Sequence, residues 1–128
     1  KARSREAAAA AAAAASAVVA TDDGLITEWD LRTLSPRSSW DSMGGAAWTM
    51  AVHAGRQLLA VGCEDGGCSI FDLSDEGLPE PPLVHRTPPQ GGRLLGVAFS
   101  PQGSHLACSA ADERARFEVA HALAEFNR

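Results

Sequence analysis

Two phrases 42 positions apart carry one pattern: Asp23-Gly24-Leu25-Ile26-Thr27-Glu28-Trp29-Asp30 and Asp65-Gly66-Gly67-Cys68-Ser69-Ile70-Phe71-Asp72. Each opens on an Asp-Gly pair, a tight-turn signal because glycine accepts positive φ without a Cβ clash. Each then runs through a short strand-like stretch to an aromatic-Asp pair. A repeat of this period constrains architecture before chemistry. One such unit cannot bury its own apolar face, so copies must stack.

A second, longer register strengthens the repeat. Gly45, Trp48, Met50, Val52 and Asp65 recur 47 positions on as Gly92, Leu95, Val97, Phe99 and Asp112. Large residues fall on one face of the first stretch in both copies, small ones on the other. Small residues let a neighbouring sheet approach closely, as inner strands crowded around an axis require. Repeats of about 40–45 residues with an aromatic-Asp ending read as four-stranded β-propeller blades. A generic antiparallel sandwich is the competing reading, because strands and turns alone fit both.

The copies are unequal. Counting back 42 positions from Trp48, Met50 and Val52 gives Glu6, Ala8 and Ala10, so the first unit shows no recognisable inner strand. In the third, Glu113 replaces the turn glycine and Phe117-Glu118 stands for the aromatic-Asp pair. The expected fold is therefore all-β and of propeller type, with about two and a half blades. Propellers close with about four to eight blades, so the expectation is a piece of a longer propeller, a degenerate product or part of an assembly that completes it.

Along the chain, residues 1–16 form an alanine-rich tail with the highest helix propensity available, although the run is short for a free helix. Residues 17–41 read as a partial blade, with a strand at Ala17-Val18-Val19-Ala20, its hairpin partner over 25–31, an end at Ser35-Pro36 and a further short strand over 38–40. A full blade over 42–75 has strands at 47–53, 58–63 and 68–73. The stretch 58–63 is nearly continuously apolar, as expected of a strand covered on both faces. Residues 76–91 are a proline-rich connector with at most one edge strand, over 83–86. A degenerate blade follows over 92–119, with strands at 94–99, 106–110 and 115–119. Residues 120–128 form a C-terminal tail of helix-friendly composition.

Chemistry is sparse. With 11 Lys and Arg against 16 Asp and Glu, the net charge of −5 speaks against a nucleic-acid or acidic-membrane binder. Lys1, Arg3 and Arg5 make a small basic cluster that reads as a solvated tail. No apolar stretch is long enough to span a bilayer, and the alanine run lacks a signal peptide's layout, so the chain reads as intracellular. Three cysteines, Cys63, Cys68 and Cys108, read as small buried thiols; a Cys63–Cys68 disulfide across the hairpin is the alternative. The four histidines show no ligand spacing, so neither a metal nor a cofactor is expected, and His53 and His105 read as solvated turn residues. Residues 62–67 lack the Lys-Ser/Thr ending of a phosphate loop and carry two acids. No nucleophile context is present, and no catalytic residue is assigned.

The stretches Gly44-Gly45-Ala46-Ala47-Trp48-Thr49-Met50-Ala51 and Leu59-Ala60-Val61-Gly62-Cys63-Glu64-Asp65-Gly66 narrow the match. With the preceding blade end (residues 24–31) and the following blade (residues 93–107), they resemble the cirhin family, WD-repeat subunits of the U3 snoRNA-associated small-subunit processome. The likeness runs in order over residues 17–119 and covers early blades of a first WD40 propeller. It implies a non-enzymatic, nucleolar scaffold of pre-ribosomal RNA transcription and processing in 40S biogenesis. Its partners would be protein subunits of a ribosome-assembly complex, with at most indirect or weak contact to U3 snoRNA or pre-rRNA. The glycine-histidine pair usual in such blades is replaced by Gly44-Gly45 and Gly91-Gly92, so Asp65 is expected to cap its own turn. The repeat signature comprises Asp23, Gly24, Trp29, Asp30, Asp65, Gly66, Phe71, Asp72, Asp112 and Phe117. Candidate partner contacts are Trp40, Arg86 and Arg93, with Trp48 read as core. The alternatives are a direct RNA binder using Arg86, Arg93, Arg114 and Arg116, or another WD40 adaptor such as a ubiquitin-ligase substrate receptor.

Overall fold

The computed structural model of the chain describes residues 7–11, 16–75, 77–89, 91–111 and 115–119, with residues 7–11 and 115–119 described at the backbone only. These residues form eleven strands: β1 (Ala7–Ala11), β2 (Ser16–Ala20), β3 (Leu25–Asp30), β4 (Ser35–Asp41), β5 (Ala47–His53), β6 (Leu58–Cys63), β7 (Cys68–Asp72), β8 (Leu83–Arg86), β9 (Leu94–Phe99), β10 (His105–Ala110) and β11 (Ala115–Val119). They make two four-stranded antiparallel sheets, β1-β2-β3-β4 and β5-β6-β7-β8, and a three-stranded one, β9-β10-β11. The inner strands lie side by side, β1 next to β5 and β5 next to β9. The sheets thus stack as successive blades.

The middle sheet is sandwiched, and its sequence shows why. Along β6, Leu58 and Ala60 join Ile70, Cys68, Leu94, Leu106 and Cys108 in the core shared with the third sheet. The alternate residues Leu59, Val61 and Cys63 join Phe71, Val18, Ile26 and Trp40 in the core shared with the first. Every residue of β6 is buried, as its apolar run predicts. Gly62 marks the closest approach: a Cβ there would lie 2.5 Å from Thr49 Cγ2 and 2.9 Å from Leu94 Cβ. The strand over 83–86 is observed as an outer edge strand.

Four expectations are corrected. First, the alanine run is not helical over residues 7–11. It pairs with β2 from Ala7↔Ala20 to Ala11↔Ser16 and takes the inner-strand place that the first unit seemed to lack. The backbone ladder satisfies the N–H and C=O groups that a helix would otherwise pair, so weak local propensity is overridden. Second, Ser35-Pro36 opens β4 rather than ending β3, and proline is tolerated there because β4 is an outer edge. Third, the parity of Trp48 and Leu95 is reversed. Register shifts fall between Ala47 and Thr49, and between Ser109 and Ala110 opposite Leu94 and Gly96. Each bulge turns one residue over, so Ala47 and Leu94 enter the cores while Trp48 is half-buried and Leu95 is 49% exposed. Fourth, His53 is not a solvated turn residue. Its Nε2 lies 2.7 Å from the Pro101 carbonyl, its Nδ1 accepts the Arg56 N–H at 3.1 Å, and its ring meets Phe99 edge-on. It joins the second and third sheets.

The cysteines are free and buried, as read. Burial raises the Cys63 thiol pKa, while a hydrogen bond with Cys108 and burial push Cys68 well up. The turn at Asp112 and the tail over 120–128 lie outside the described residues.

Candidate interaction surface

The rim carrying the loops at residues 21–24, 42–46, 64–67 and 87–93 gathers most of the polar residues singled out by sequence. Its centre is the 64–67 turn. Gly66, at φ +90°, donates its N–H to the Cys63 carbonyl at 3.1 Å. Asp65 Oδ1 accepts the Gly67 N–H at 2.9 Å, so Asp65 caps its own turn. Gly24, at φ +85°, makes the equivalent turn, and Asp23 Oδ1 accepts the Leu25 N–H at 3.1 Å and the Thr21 hydroxyl. These bonds, the Thr21 one foremost, hold the Asp23 carboxyl below its ordinary pKa.

Arg86 is committed inward, not to a partner. From β8 its Nη2 donates to Asp65 Oδ1 at 2.9 Å and its Nε to Ser69 Oγ at 3.0 Å. Ser69 in turn donates to the Ser42 carbonyl at 2.6 Å, and both serines are fully buried. The guanidinium fits because Gly44 and Gly67 have no side chain. A Cβ on either would sit 1.9 Å from Nη2 or 2.4 Å from Nη1. Arginine from the outer strand thus fills the space beside the Asp65 turn where a loop histidine is absent. Partial burial works against charge on Asp65, but the Arg86 and Gly67 hydrogen bonds outweigh it and hold its pKa below the ordinary value.

Trp40 is likewise inside: it is 3% exposed and meets Phe71 edge-on at 5.9 Å between centroids. The two tryptophan expectations therefore exchange places, because Trp40 faces the next sheet and the bulge lifts Trp48 out. Trp48 Nε1 donates to Glu64 Oε1, and the Arg93 guanidinium carbon lies 4.4 Å from the Trp48 ring centroid. Arg93 is exposed, so this stacked cation is an accessible basic group. In the 42–46 loop Met43 is 55% exposed at φ +74°, its N–H held by Asp41 Oδ1 at 2.9 Å.

The aromatic-Asp pairs serve two purposes. Asp30 and Asp72 each accept, at 2.9 Å, the N–H two residues on, Arg32 and Ser74, and so cap the turns that follow. The aromatics face the preceding neighbour. Phe71 is 2% exposed against the first sheet, whereas Trp29, its repeat equivalent, lines an open concavity of about 440 Å³ with Ala17, Val19, Leu31 and Leu34. In β11, Phe117 sits opposite Ala107, one place off the register in which Phe71 sits opposite Leu59, since Leu106 pairs with Glu118. Asp112 lies outside the described residues. An array of too few blades to close leaves blade faces bare, and the repeat aligns half-buried Trp29 on such a face with buried Phe71.

The rim presents a stacked cation, carboxylates and an exposed thioether. Among the described residues, no three His, Cys, Asp or Glu side chains are grouped to hold a metal ion. Among them, too, no helix is long and apolar enough to cross a membrane.

No family model matches the chain. Residue by residue it is 32% identical over 97 residues to the human U3 small nucleolar RNA-associated protein 4 homolog, covering 76% of this chain and 14% of that protein. It is 49% identical over 49 residues to the Schizosaccharomyces pombe U3 small nucleolar RNA-associated protein 4, covering 38% of this chain and 7% of that one. The chain thus spans about a seventh, or less, of the length of these curated relatives. In three dimensions it matches the β-propeller domain of Myceliophteria thermophila Cps50 (Swd1) at a TM-score of 0.75 and 23% identity, covering 88% of this chain and 39% of that one. That likeness shows the fold: part of a WD40-type β-propeller.

Proposed function

We propose that the chain, similar to the U3 small nucleolar RNA-associated protein 4 proteins, is part of a non-enzymatic scaffold of ribosome biogenesis. In this reading it works in the nucleolus, within the small-subunit processome, holding protein subunits together during pre-ribosomal RNA transcription and processing. The observation that carries the reading is the collinear match over 97 residues to a protein named for its association with U3 small nucleolar RNA.

The surface chemistry supports protein partners over RNA. Phosphate binding needs clustered, uncommitted cations. Among the described residues, Arg37 pairs with Glu28 and Asp30, Arg86 with Asp65, and Arg56 Nε bonds the Gln102 carbonyl. The described loops also carry Asp22, Asp23, Asp41 and Glu64, all exposed. The Trp48–Arg93 stack is the contact we assign to a protein partner, since tryptophan and arginine dominate interface hot spots. The apolar Trp29 face we assign to a further blade or a neighbouring subunit, because Phe71 fills the equivalent gap between the first and second sheets.

Affinity purification of the full-length tagged protein tests the proposal. Ribosome-assembly subunits are expected in the eluate, reduced several-fold by Arg93→Ala. Recovery of a ubiquitin ligase instead would transfer the chain to another class of WD40 adaptor. A salt-titrated RNA gel shift addresses the RNA reading: strong retardation that weakens steeply with salt would favour direct binding.

A further inference from the structure

The chain contains three Ser/Thr-Pro pairs: Ser35-Pro36, Thr87-Pro88 and Ser100-Pro101. Such a pair is what a proline-directed protein kinase reads, because its pocket after the acceptor takes a residue without an N–H. The fold separates the three. Thr87 is 4% exposed and its hydroxyl accepts the Cys68 N–H at 2.9 Å. Ser100 Oγ accepts two backbone N–H groups, from Ser104 at 3.1 Å and His105 at 3.0 Å, inside the turn that supports β10. Ser35 opens the outer edge strand, and every residue from 31 to 37 is exposed. Among the described residues, the hydrogen bond given for its hydroxyl is to a neighbouring hydroxyl, Thr33 Oγ1, at 2.6 Å.

We propose that Ser35 is a phosphoacceptor for a proline-directed protein kinase. In the transfer, Ser35 Oγ attacks the γ-phosphorus of ATP, the bond to the ADP oxygen breaks, and the hydroxyl proton passes to the kinase's carboxylate base. The product carries a charge of about −2 near neutral pH. The charge matters at this site. Ser35 stands directly opposite Asp30 in the ladder, so phosphate meets a like charge at cross-strand distance, with Arg37 already bridging Asp30 and Glu28.

The test treats the full chain with ATP and a purified cyclin-dependent-class kinase, and maps phosphate by mass spectrometry. A synthetic peptide of residues 29–41 shows that the kinase accepts the sequence. Ser35 is expected to carry at least about tenfold more phosphate than Thr87 or Ser100, whose hydroxyls become available only on local opening. Ser35→Ala should abolish the dominant signal. An unlabelled Ser35, or equal labelling of Ser100, overturns the assignment.

Discussion

Arg86 occupies space that two glycines leave open, and this makes Gly44 as decisive as the arginine itself. Gly44→Ala places a methyl within the guanidinium, which must then abandon Asp65 and Ser69. Hydrogen bonds to charged groups contribute about 1.5–3 kcal/mol, so Gly44→Ala and Arg86→Ala should each lower stability by that order, read as a shift in urea midpoint. Combined, they should cost little more than either alone, because both remove one network. The Asp65 carboxylate gives this network a pH dependence. Its folded pKa lies below the ordinary aspartate value of 3.8, so its contribution is fully present above that value and fades as pH falls through the folded one. The stability difference between the native chain and Asp65→Asn should therefore be constant at neutral pH and shrink in strong acid. The Asp65 cap was legible in the sequence, since an Asp-Gly turn without a partner histidine must satisfy itself. Arg86 was not, because nothing in a linear string places an outer-strand arginine over a turn 21 residues earlier.

The strands show where a periodic reading holds and where it fails. Alternation fixed Met50, Val52, Val97 and Phe99 against the cores, and they pack there. It failed one residue earlier in both copies, because a bulge reverses parity without changing composition. That is why Trp48 was read as core when it is the rim's stacking platform. The alanine run is a different failure. Nine identical small residues carry no apolar-polar period at all, so propensity alone spoke, and it left open a marginal helix or a tail. The ladder to β2 decides otherwise. Ala9, opposite Val18, is the position to test: Ala9→Pro removes a ladder donor and should speed amide exchange in β2 by about tenfold or more, without loss of any helical circular-dichroism band. A drop in the 222 nm helical signal would instead restore the helix reading.

At the scale of the molecule, three sheets give two buried interfaces and leave two end faces, and a single pair of side chains measures the difference between a covered face and the one that Trp29 lines. Phe71 and Trp29 hold the same place in their repeats, each in the third strand of its blade, ahead of a turn-capping Asp. Phe71 lies in the core between two blades; Trp29 lines the concavity. In the 128-residue chain by itself, Phe71→Ala should cost about 3–5 kcal/mol, the range for a buried phenylalanine. Trp29→Ala should cost no more than about 1 kcal/mol, as substitutions outside a core usually do. In a protein whose next blade or subunit covers this face, Trp29 enters an interface like that of Phe71, and its cost should rise to the same 3–5 kcal/mol range. The comparison reads coverage directly, by the chemical-denaturation cost of two mutations in two contexts. If Trp29→Ala stays cheap in the full-length protein and its assembly, no blade or subunit rests there, and the apolar face must be assigned to a transient partner.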